Sequence, residues 1–220
     1  MIKGVIFDMD GLMIDTEKLL TRFWCEAANL YGHKMTKEHV LGIRSLAAKF
    51  AEPKLKGIFG EDFDYQKVRA KRIELMNAYI SEYGIEKKKG LDQLLEYLKS
   101  NGYLIAVATA TDLNRTTTYL NRIGIFHYFD KIICGSMVEN GKPEPDIYLK
   151  ASSELELSPE ECIALEDSPN GIISAYRAGC KPIMIPDLSR ADNELLKMCE
   201  AELDSLDLVI DYLEENQTAL

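Results

Sequence analysis

The chain has 220 residues, a formal net charge of −10 and 46% hydrophobic residues. This length allows one large domain or a core with a modest insertion, and the composition is that of a globular protein rather than a disordered one. The negative charge argues against a nucleic-acid partner, because it would repel a phosphate backbone. A small phosphate ester is also an anion, so a site for one requires positive charge that is placed locally.

Short apolar runs separated by helix-length segments recur along the chain. The first run, Lys3 to Phe7, ends in Asp8 and Gly11, as expected for a buried parallel strand that enters a loop. Four similar runs follow at 103–109, 131–135, 161–167 and 181–187. This alternation predicts an α/β fold with a doubly wound, Rossmann-like parallel sheet, whose faces are covered by helices.

An exception to this rhythm lies between the first and second predicted strands, where helical patterns dominate. Apolar residues at helical spacing form two faces in this region. The first consists of Leu20, Phe23, Trp24, Ala27, Leu30 and Tyr31, and the second of Leu75, Met76, Tyr79, Ile80 and Tyr83. We predict an inserted all-α cap domain over residues 15–87, with hinges at both crossings. The α/β core domain then consists of residues 1–14 and 88–220.

The cysteines and the N-terminal sequence indicate the cellular compartment in which we expect the protein. Five widely spaced cysteines with no C-x-x-C pair disfavour both a disulfide framework and a zinc site. The apolar stretch of MIKGVIFDMDG is too short for a signal peptide or a membrane span. We therefore expect a cytoplasmic protein with no membrane partner, and a monomer as the default state.

Two acidic pairs stand at predicted strand ends, where α/β sheets bind ligands. Asp8 and Asp10 follow the first strand, and such close carboxylates become tolerable with a divalent cation between them or with one of them protonated. Glu166 and Asp167 close the fourth strand, and adjacent carboxylates suit Mg²⁺, which prefers oxygen ligands. Taken alone, the first pair is equally consistent with an ordinary turn, and the second fits a solvated helix cap better.

Positive charge and hydroxyl groups come from two further segments. Thr109 and Thr111 end the second strand, where hydroxyls and backbone N–H groups can bind a phosphate oxygen. Lys142 lies in the loop NGKPEPD, whose restricted backbone would hold its charge in place beside a phosphoryl group. Each of these residues is usually functionless when it occurs singly.

The order of four motifs, DMDG, VATAT, GKPEPD and LEDSPNG, resembles the haloacid-dehalogenase-like superfamily. The resemblance spans most of the chain, and FDMDGLMIDTE is especially similar to the branch that contains β-phosphoglucomutase and sugar-phosphate or nucleotide phosphatases. It implies a core with a helical cap that closes over the site. It also implies a soluble enzyme that acts on a small phosphorylated metabolite with Mg²⁺ as cofactor.

The resemblance also implies a role for each motif residue. Asp8 is the expected nucleophile, Asp10 the general acid and base, and Lys142 the cation that steadies the phosphoryl group. Thr109 and Ala110 are the expected phosphate-binding residues. Arg44 is a third candidate, because it directly precedes Ser45, the cap position at which the mutases of this branch place a phosphate-binding arginine. The expected metal ligands are Asp8, the backbone carbonyl of Asp10, Asp167 and, directly or through water, Glu166.

The resemblance leaves the reaction open between three classes. We expect a phosphatase that works through an aspartyl-phosphate. The dehalogenases of the superfamily lack the second aspartate, so the presence of Asp10 favours phosphoryl transfer over dehalogenation. A β-phosphoglucomutase-type mutase is the alternative, although Leu20 and Ser45 stand where those mutases place a histidine and an arginine. A non-catalytic binding protein on the same fold is a third reading, which the complete set of motif residues disfavours.

Overall fold

The computed structural model describes residues 1–217 and contains a parallel sheet of six strands. The sheet order is β3-β2-β1-β4-β5-β6, and every neighbouring pair is parallel. The strands are β1 (Gly4–Phe7), β2 (Leu104–Thr109), β3 (Lys131–Cys134), β4 (Cys162–Glu166), β5 (Lys181–Met184) and β6 (Ala201–Glu202). The predicted doubly wound α/β fold is confirmed, and the two-residue edge strand β6 was not predicted.

The central position of β1 brings three strand ends together. Phe7 is in register with Val107 of β2 on one side and with Leu165 of β4 on the other. Parallel strands in register deliver the residues that follow them to one edge of the sheet, where open α/β sheets bind ligands. The polar residues that follow β1, β2 and β4 therefore meet at this edge.

Helices cover both faces of the sheet, as its wholly buried central strands require. The core helices are α5 (Leu91–Ser100), α6 (Leu113–Arg122), α7 (Asp146–Glu154), α8 (Pro169–Ala178), α9 (Asn193–Leu196) and α10 (Leu208–Gln217). Helix α5 packs the leucines at 91, 94, 95 and 98 into the core on one face, and α7 and α8 pack on the other. Helix α8 is capped at both ends: the Ser168 side chain accepts a hydrogen bond from Gly171 N, and Gly179 lies in the left-handed region.

Four helices lie between β1 and α5, and within the described residues this segment contains no strand. They are α1 (Glu17–Leu30), α2 (Lys37–Leu41), α3 (Ala48–Phe59) and α4 (Tyr65–Tyr83). We call them the helical segment. It has an apolar cluster of its own, which includes Trp24, Leu55, Phe63 and Val68.

The predicted apolar faces of this segment extend too far at their C-terminal ends. Leu30 is 60% exposed, Tyr31 is 37% exposed and Tyr83 is 66% exposed, so their assignment to buried faces was wrong. All three lie in the last turn of a helix or just beyond it. There the apolar spacing continues in the sequence, but the side chains extend past the elements that pack against the helix.

The chain enters and leaves the helical segment through two connections that are hydrogen-bonded to each other. Asp15 N donates to Glu86 O at 2.9 Å, and Lys88 N donates to Met13 O at 2.9 Å. Ile14 and Lys87 form an antiparallel bridge between them. These bonds lie where we predict the hinges, and the domain boundaries at 14/15 and 87/88 stay a prediction.

None of the helices within residues 1–217 combines the length and the apolar character that crossing a membrane requires.

Candidate active site

Asp8 and Lys142 form a buried ion pair at the carboxyl end of β1. Lys142 Nζ lies 2.5 Å from Asp8 Oδ1, 2.6 Å from Glu166 Oε1 and 2.9 Å from Ala108 O. Burial raises the pKa of Asp8 well above its usual range, although Lys142 opposes this. Burial alone would lower the pKa of Lys142, but Asp8 and Glu166 outweigh it and raise that pKa. Lys142 therefore stays a cation at neutral pH.

The Glu166 side chain is held by three groups and is fully buried. Besides Lys142, it accepts hydrogen bonds from the hydroxyls of Tyr148 at 2.6 Å and Ser168 at 3.2 Å. A Cβ added at Gly171 would lie 1.9 Å from the Glu166 carboxyl carbon, so only glycine lets α8 approach this carboxylate so closely. These contacts fix the orientation of the Glu166 carboxyl group beside Asp8.

Asp167 joins the strand ends to the helical segment through Arg44. The Arg44 guanidinium hydrogen-bonds to the Asp167 carboxylate and lies 2.6 Å from its backbone carbonyl. The same guanidinium lies 3.7 Å from the carboxylate of Glu17, which is also buried. Burial raises the pKa of Asp167 to about 7, and Arg44 acts against that rise. Arg44 also lines the cavity, and its predicted contact with a phosphate stays a prediction.

Asp10 lies beside this cluster and is held by two hydroxyl groups. Thr16 Oγ1 donates to Asp10 Oδ1 at 2.6 Å, and Thr111 Oγ1 donates to Asp10 Oδ2 at 2.7 Å. Thr109 is 1% exposed, and its hydroxyl accepts a hydrogen bond from Thr111 N at 3.1 Å. Directly after Asp10 comes Gly11, which has φ 89°, and a Cβ there would lie 2.1 Å from Asp167 Oδ2.

A cavity of 340 Å³ opens above these residues, between the sheet edge and the helical segment. Its floor is formed by Asp8, Asp10, Thr109, Ala110 and Lys142, and its opposite wall by side chains of α1 to α4. This volume is at the low end of the range for ligand pockets, about 300–1,000 Å³. The cavity is therefore large enough for a small metabolite, with one end of that molecule beside Asp8 and Asp10.

The acidic residues fit a divalent cation. One carboxylate oxygen each from Asp8, Glu166 and Asp167 lie within 4.8 Å of one another, and all three residues are buried. Asp167 Oδ1 is buried with no hydrogen-bond partner among the described residues. A dry, unpartnered carboxylate oxygen within an all-oxygen donor set is the kind of site that Mg²⁺ occupies.

The structure thus brings together every residue that the sequence predicts for the site. It adds several that were missed: Thr16, Glu17, Arg69, Arg72, Arg115 and Tyr148. Thr16 and Glu17 directly follow the first motif, but nothing in DTE distinguishes them from a helix start. Tyr148 and the arginines occupy helices, where sequence alone favours packing or a solvated surface.

The fold and the site together define an α/β protein with an acidic, lysine-containing pocket under a helical insertion. The chain belongs to the haloacid dehalogenase-like hydrolase family, whose family model matches residues 5–185. It is 31% identical over 182 residues to a phosphorylated carbohydrates phosphatase of Thermotoga maritima, covering 83% of this chain and 84% of that protein. It is 29% identical to hexitol phosphatase A of Escherichia coli, covering 94% and 93% of the two chains.

Among solved structures, a β-phosphoglucomutase from Clostridium difficile superposes with a TM-score of 0.80 at 25% identity. The superposition covers 98% of this chain and 96% of that one. The predicted superfamily and its β-phosphoglucomutase-like branch are confirmed, as is the enzyme class, a phosphatase of this family.

Proposed function

We propose that the protein is a Mg²⁺-dependent phosphoric monoester hydrolase that acts on a small phosphorylated metabolite through an aspartyl-phosphate at Asp8. The observation that carries this proposal is the buried contact of Asp8 with Lys142, at a strand end that faces the cavity. Relatives named as phosphatases of phosphorylated carbohydrates and hexitols favour a sugar or sugar-alcohol phosphate as substrate. The sequence equally allows a nucleotide or nucleoside monophosphate.

In the first half of the reaction, the Asp8 carboxylate attacks phosphorus while Asp10 donates a proton to the leaving oxygen. Hydrogen bonds from Thr16 and Thr111 hold the Asp10 carboxyl in one orientation for this transfer. Lys142 offsets the charge of Asp8 and of the incoming phosphoryl oxygens. Thr109 and Ala110 are the proposed phosphate-binding residues, because both line the cavity at the end of β2.

In the second half, water hydrolyses the acyl-phosphate. Asp10 takes a proton from this water and so returns to its starting state. A bound Mg²⁺ would be held by Asp8, the Asp10 backbone carbonyl, Asp167 and Glu166, and would supply charge stabilisation to the phosphoryl oxygens. We further propose that residues 15–87 act as a cap domain, which excludes bulk water and selects the substrate.

A mutase is the second candidate, because a β-phosphoglucomutase shares the fold over most of its length. Leu20 and Ser45 both line the cavity, and neither brings the charge that we expect a mutase to have at those positions. We therefore favour the hydrolase.

The test is phosphate release from a panel of sugar, sugar-alcohol and nucleoside monophosphates, with magnesium and with excess chelator. We expect release that requires magnesium, and inhibition by calcium, whose longer bonds misplace the reacting groups. Incubation with β-glucose 1-phosphate and a trace of the 1,6-bisphosphate separates the two candidates. Glucose 6-phosphate that accumulates faster than phosphate is released from any panel member would establish the mutase, and release in excess chelator would refute the metal requirement.

A further inference from the structure

Arg44 brings a charge of the helical segment into the acidic floor of the cavity. It lies in the loop between α2 and α3, and its side chain is only 3% exposed. Its Nη2 donates to the Asp167 carboxylate and, at 2.6 Å, to the Asp167 backbone carbonyl. Because both bonds come from one nitrogen of a rigid, planar guanidinium, they hold the Asp167 side chain in one position relative to its own backbone.

The two carboxylate oxygens of Asp167 have different surroundings. Oδ2 accepts the bond from Arg44, and it lies so near Gly11 that a Cβ there would be 2.1 Å away. Oδ1 is buried and has no hydrogen-bond partner among the described residues. An unpartnered buried acceptor is costly, and a further group that binds it removes this cost. Arg44 and Gly11 thus enclose one oxygen and leave the other for a ligand.

The charges of the floor leave a place for a divalent cation beside Arg44. Two buried cations share four buried carboxylates: Lys142 and Arg44 lie among Asp8, Glu17, Glu166 and Asp167. When all four carboxylates are ionised, two negative charges remain uncompensated, and one ion such as Mg²⁺ neutralises them. Arg44 and a metal ion therefore complement each other at Asp167 rather than compete for it.

The loop that carries Arg44 is itself bound to the sheet edge. Ala47 N donates to Lys142 O at 3.1 Å, and the Asn170 side chain donates to Arg44 O at 2.8 Å. Ser45 has φ 58°, a left-handed conformation that residues other than glycine rarely adopt and that persists where the surroundings hold it. The position of Arg44 thus depends on how the helical segment sits on the sheet edge.

We propose that Arg44 is a positioning residue for the metal site, which holds Asp167 by Oδ2, leaves Oδ1 to bind the cation, and so couples metal binding to closure of the helical segment over the cavity. This inference rests on the magnesium requirement of the proposed function and deepens it. Arg44 takes no part in the chemical step. Because coupling between two binding events is reciprocal, closure raises the affinity for magnesium, and magnesium favours closure by the same factor.

Calorimetric titration with magnesium, without substrate, measures this role. Arg44→Gln removes the charge and the paired bonds to Asp167, and we expect it to raise the dissociation constant for magnesium by about 10- to 100-fold, the usual effect of losing a group that orients a metal ligand. Arg22→Gln is the matched control. Arg22 is also an arginine of the helical segment, but its guanidinium lies over the rings of Phe23 and Tyr79. This control should leave the dissociation constant unchanged.

Arg44→Lys separates orientation from charge. A lysine keeps the positive charge but lacks the planar donor group, so we expect magnesium to bind this variant less tightly than the unmodified protein. Thermal unfolding in chelator checks that each variant folds. A purely structural role of Arg44 would lower the unfolding temperature and leave the dissociation constant unchanged, and competition with the metal would make Arg44→Gln bind magnesium more tightly. Either result refutes the proposal.

Hydrogen exchange tests the coupling in the unmodified protein, so this measurement does not depend on whether a variant folds. The amide of Ala47 reports closure, because its bond to Lys142 O joins the helical segment to the core. We expect magnesium to slow exchange in the peptide that contains Ala47, and to slow it less in Arg44→Gln. Exchange that magnesium leaves unchanged or accelerates would overturn the coupling.

Failure of this inference is distinguishable from failure of the proposed function. If magnesium binding responds to Arg44→Gln as expected but the unmodified protein releases phosphate from no substrate of the panel, the hydrolase is wrong and the positioning role stands. If phosphate release requires magnesium but Arg44→Gln binds magnesium as tightly as the unmodified protein, the positioning role is refuted and the hydrolase stands.

Discussion

Replacing Lys142 by methionine removes one charge from the most enclosed part of the site and keeps most of the length of the side chain. Lys142 Nζ contacts three oxygens, of which those of Asp8 and Glu166 belong to carboxylates. The side chains of Lys142 and Glu166 are 0% exposed, and that of Asp8 is 5% exposed. The substitution therefore leaves two carboxylates without a cation and without water.

The cost of the substitution follows from this burial. Removing one partner of a buried ion pair destabilises a protein by about 3–5 kcal/mol, which is a large share of a total stability of about 5–15 kcal/mol. Lys150→Met is the matched control, because Lys150 is a partly exposed lysine of α7 that lies 3.5 Å from Glu154 one turn away. Such a pair contributes about 0.3–0.5 kcal/mol to stability. We therefore expect Lys142→Met to lower the free energy of unfolding about ten times as much as Lys150→Met does.

The loss should also depend on pH. Burial already raises the pKa of Asp8, and without Lys142 that pKa rises further. From about pH 4, the ordinary pKa of an aspartate, up to this higher value, the folded state binds a proton that the unfolded state has released. Stability then falls as the pH rises through this window, and it falls further in the variant than in the unmodified protein.

Urea unfolding followed by circular dichroism, in chelator at pH 5 and pH 8, measures both effects. We expect the free energy of unfolding to drop by several kcal/mol in Lys142→Met, with a larger deficit at pH 8. A loss below about 1 kcal/mol, similar to that expected for an exposed pair, would show that Lys142 does not neutralise a buried anion. A deficit equal at both pH values would refute the assignment of the cost to ionised carboxylates.

Two further substitutions test the proposed roles of the aspartates. Asp8→Asn should abolish phosphate release, yet in chelator at pH 7 its free energy of unfolding should equal or exceed that of the unmodified protein, because burial raises the pKa of Asp8 and makes its ionised form costly. Magnesium should then stabilise the unmodified protein more than this variant in thermal unfolding, and retained turnover would remove Asp8 from its role. Asp10→Asn should still be stabilised by magnesium but lose about 10²–10⁴-fold in single-turnover rate, and a near-normal rate would contradict acid and base catalysis.

The convergence of the motif residues was predictable from the sequence. Asp8, Thr109 and Glu166 each end a short apolar run, and parallel strands place such ends along one edge. Lys142 comes from a loop, where no periodicity applies, and only the family resemblance indicated that it would reach Asp8.

The cavity wall was not predictable in the same way. Arg72 belongs to a helix whose apolar positions include Met76 and Ile80, and an arginine there is by default a solvated residue. Whether it lies in a cavity depends on how the helical segment sits on the sheet. The side-chain pattern of one helix does not determine this orientation, and so Arg69 and Arg72 were missed.

The central place of β1 in the sheet has a consequence for protein synthesis. Gly4 pairs with Leu104 on one side and with Cys162 on the other, so both neighbours of β1 are translated much later. At about 5–20 residues per second, the second neighbour follows on the order of 10 s after β1. Val5, Ile6 and Phe7, all fully buried in the folded protein, lack at least one of their two neighbouring strands throughout this interval. The strand that precedes Asp8 is thus made before its neighbours and is enclosed only after β4 emerges, so the nascent chain exposes an apolar segment of the kind that chaperones bind.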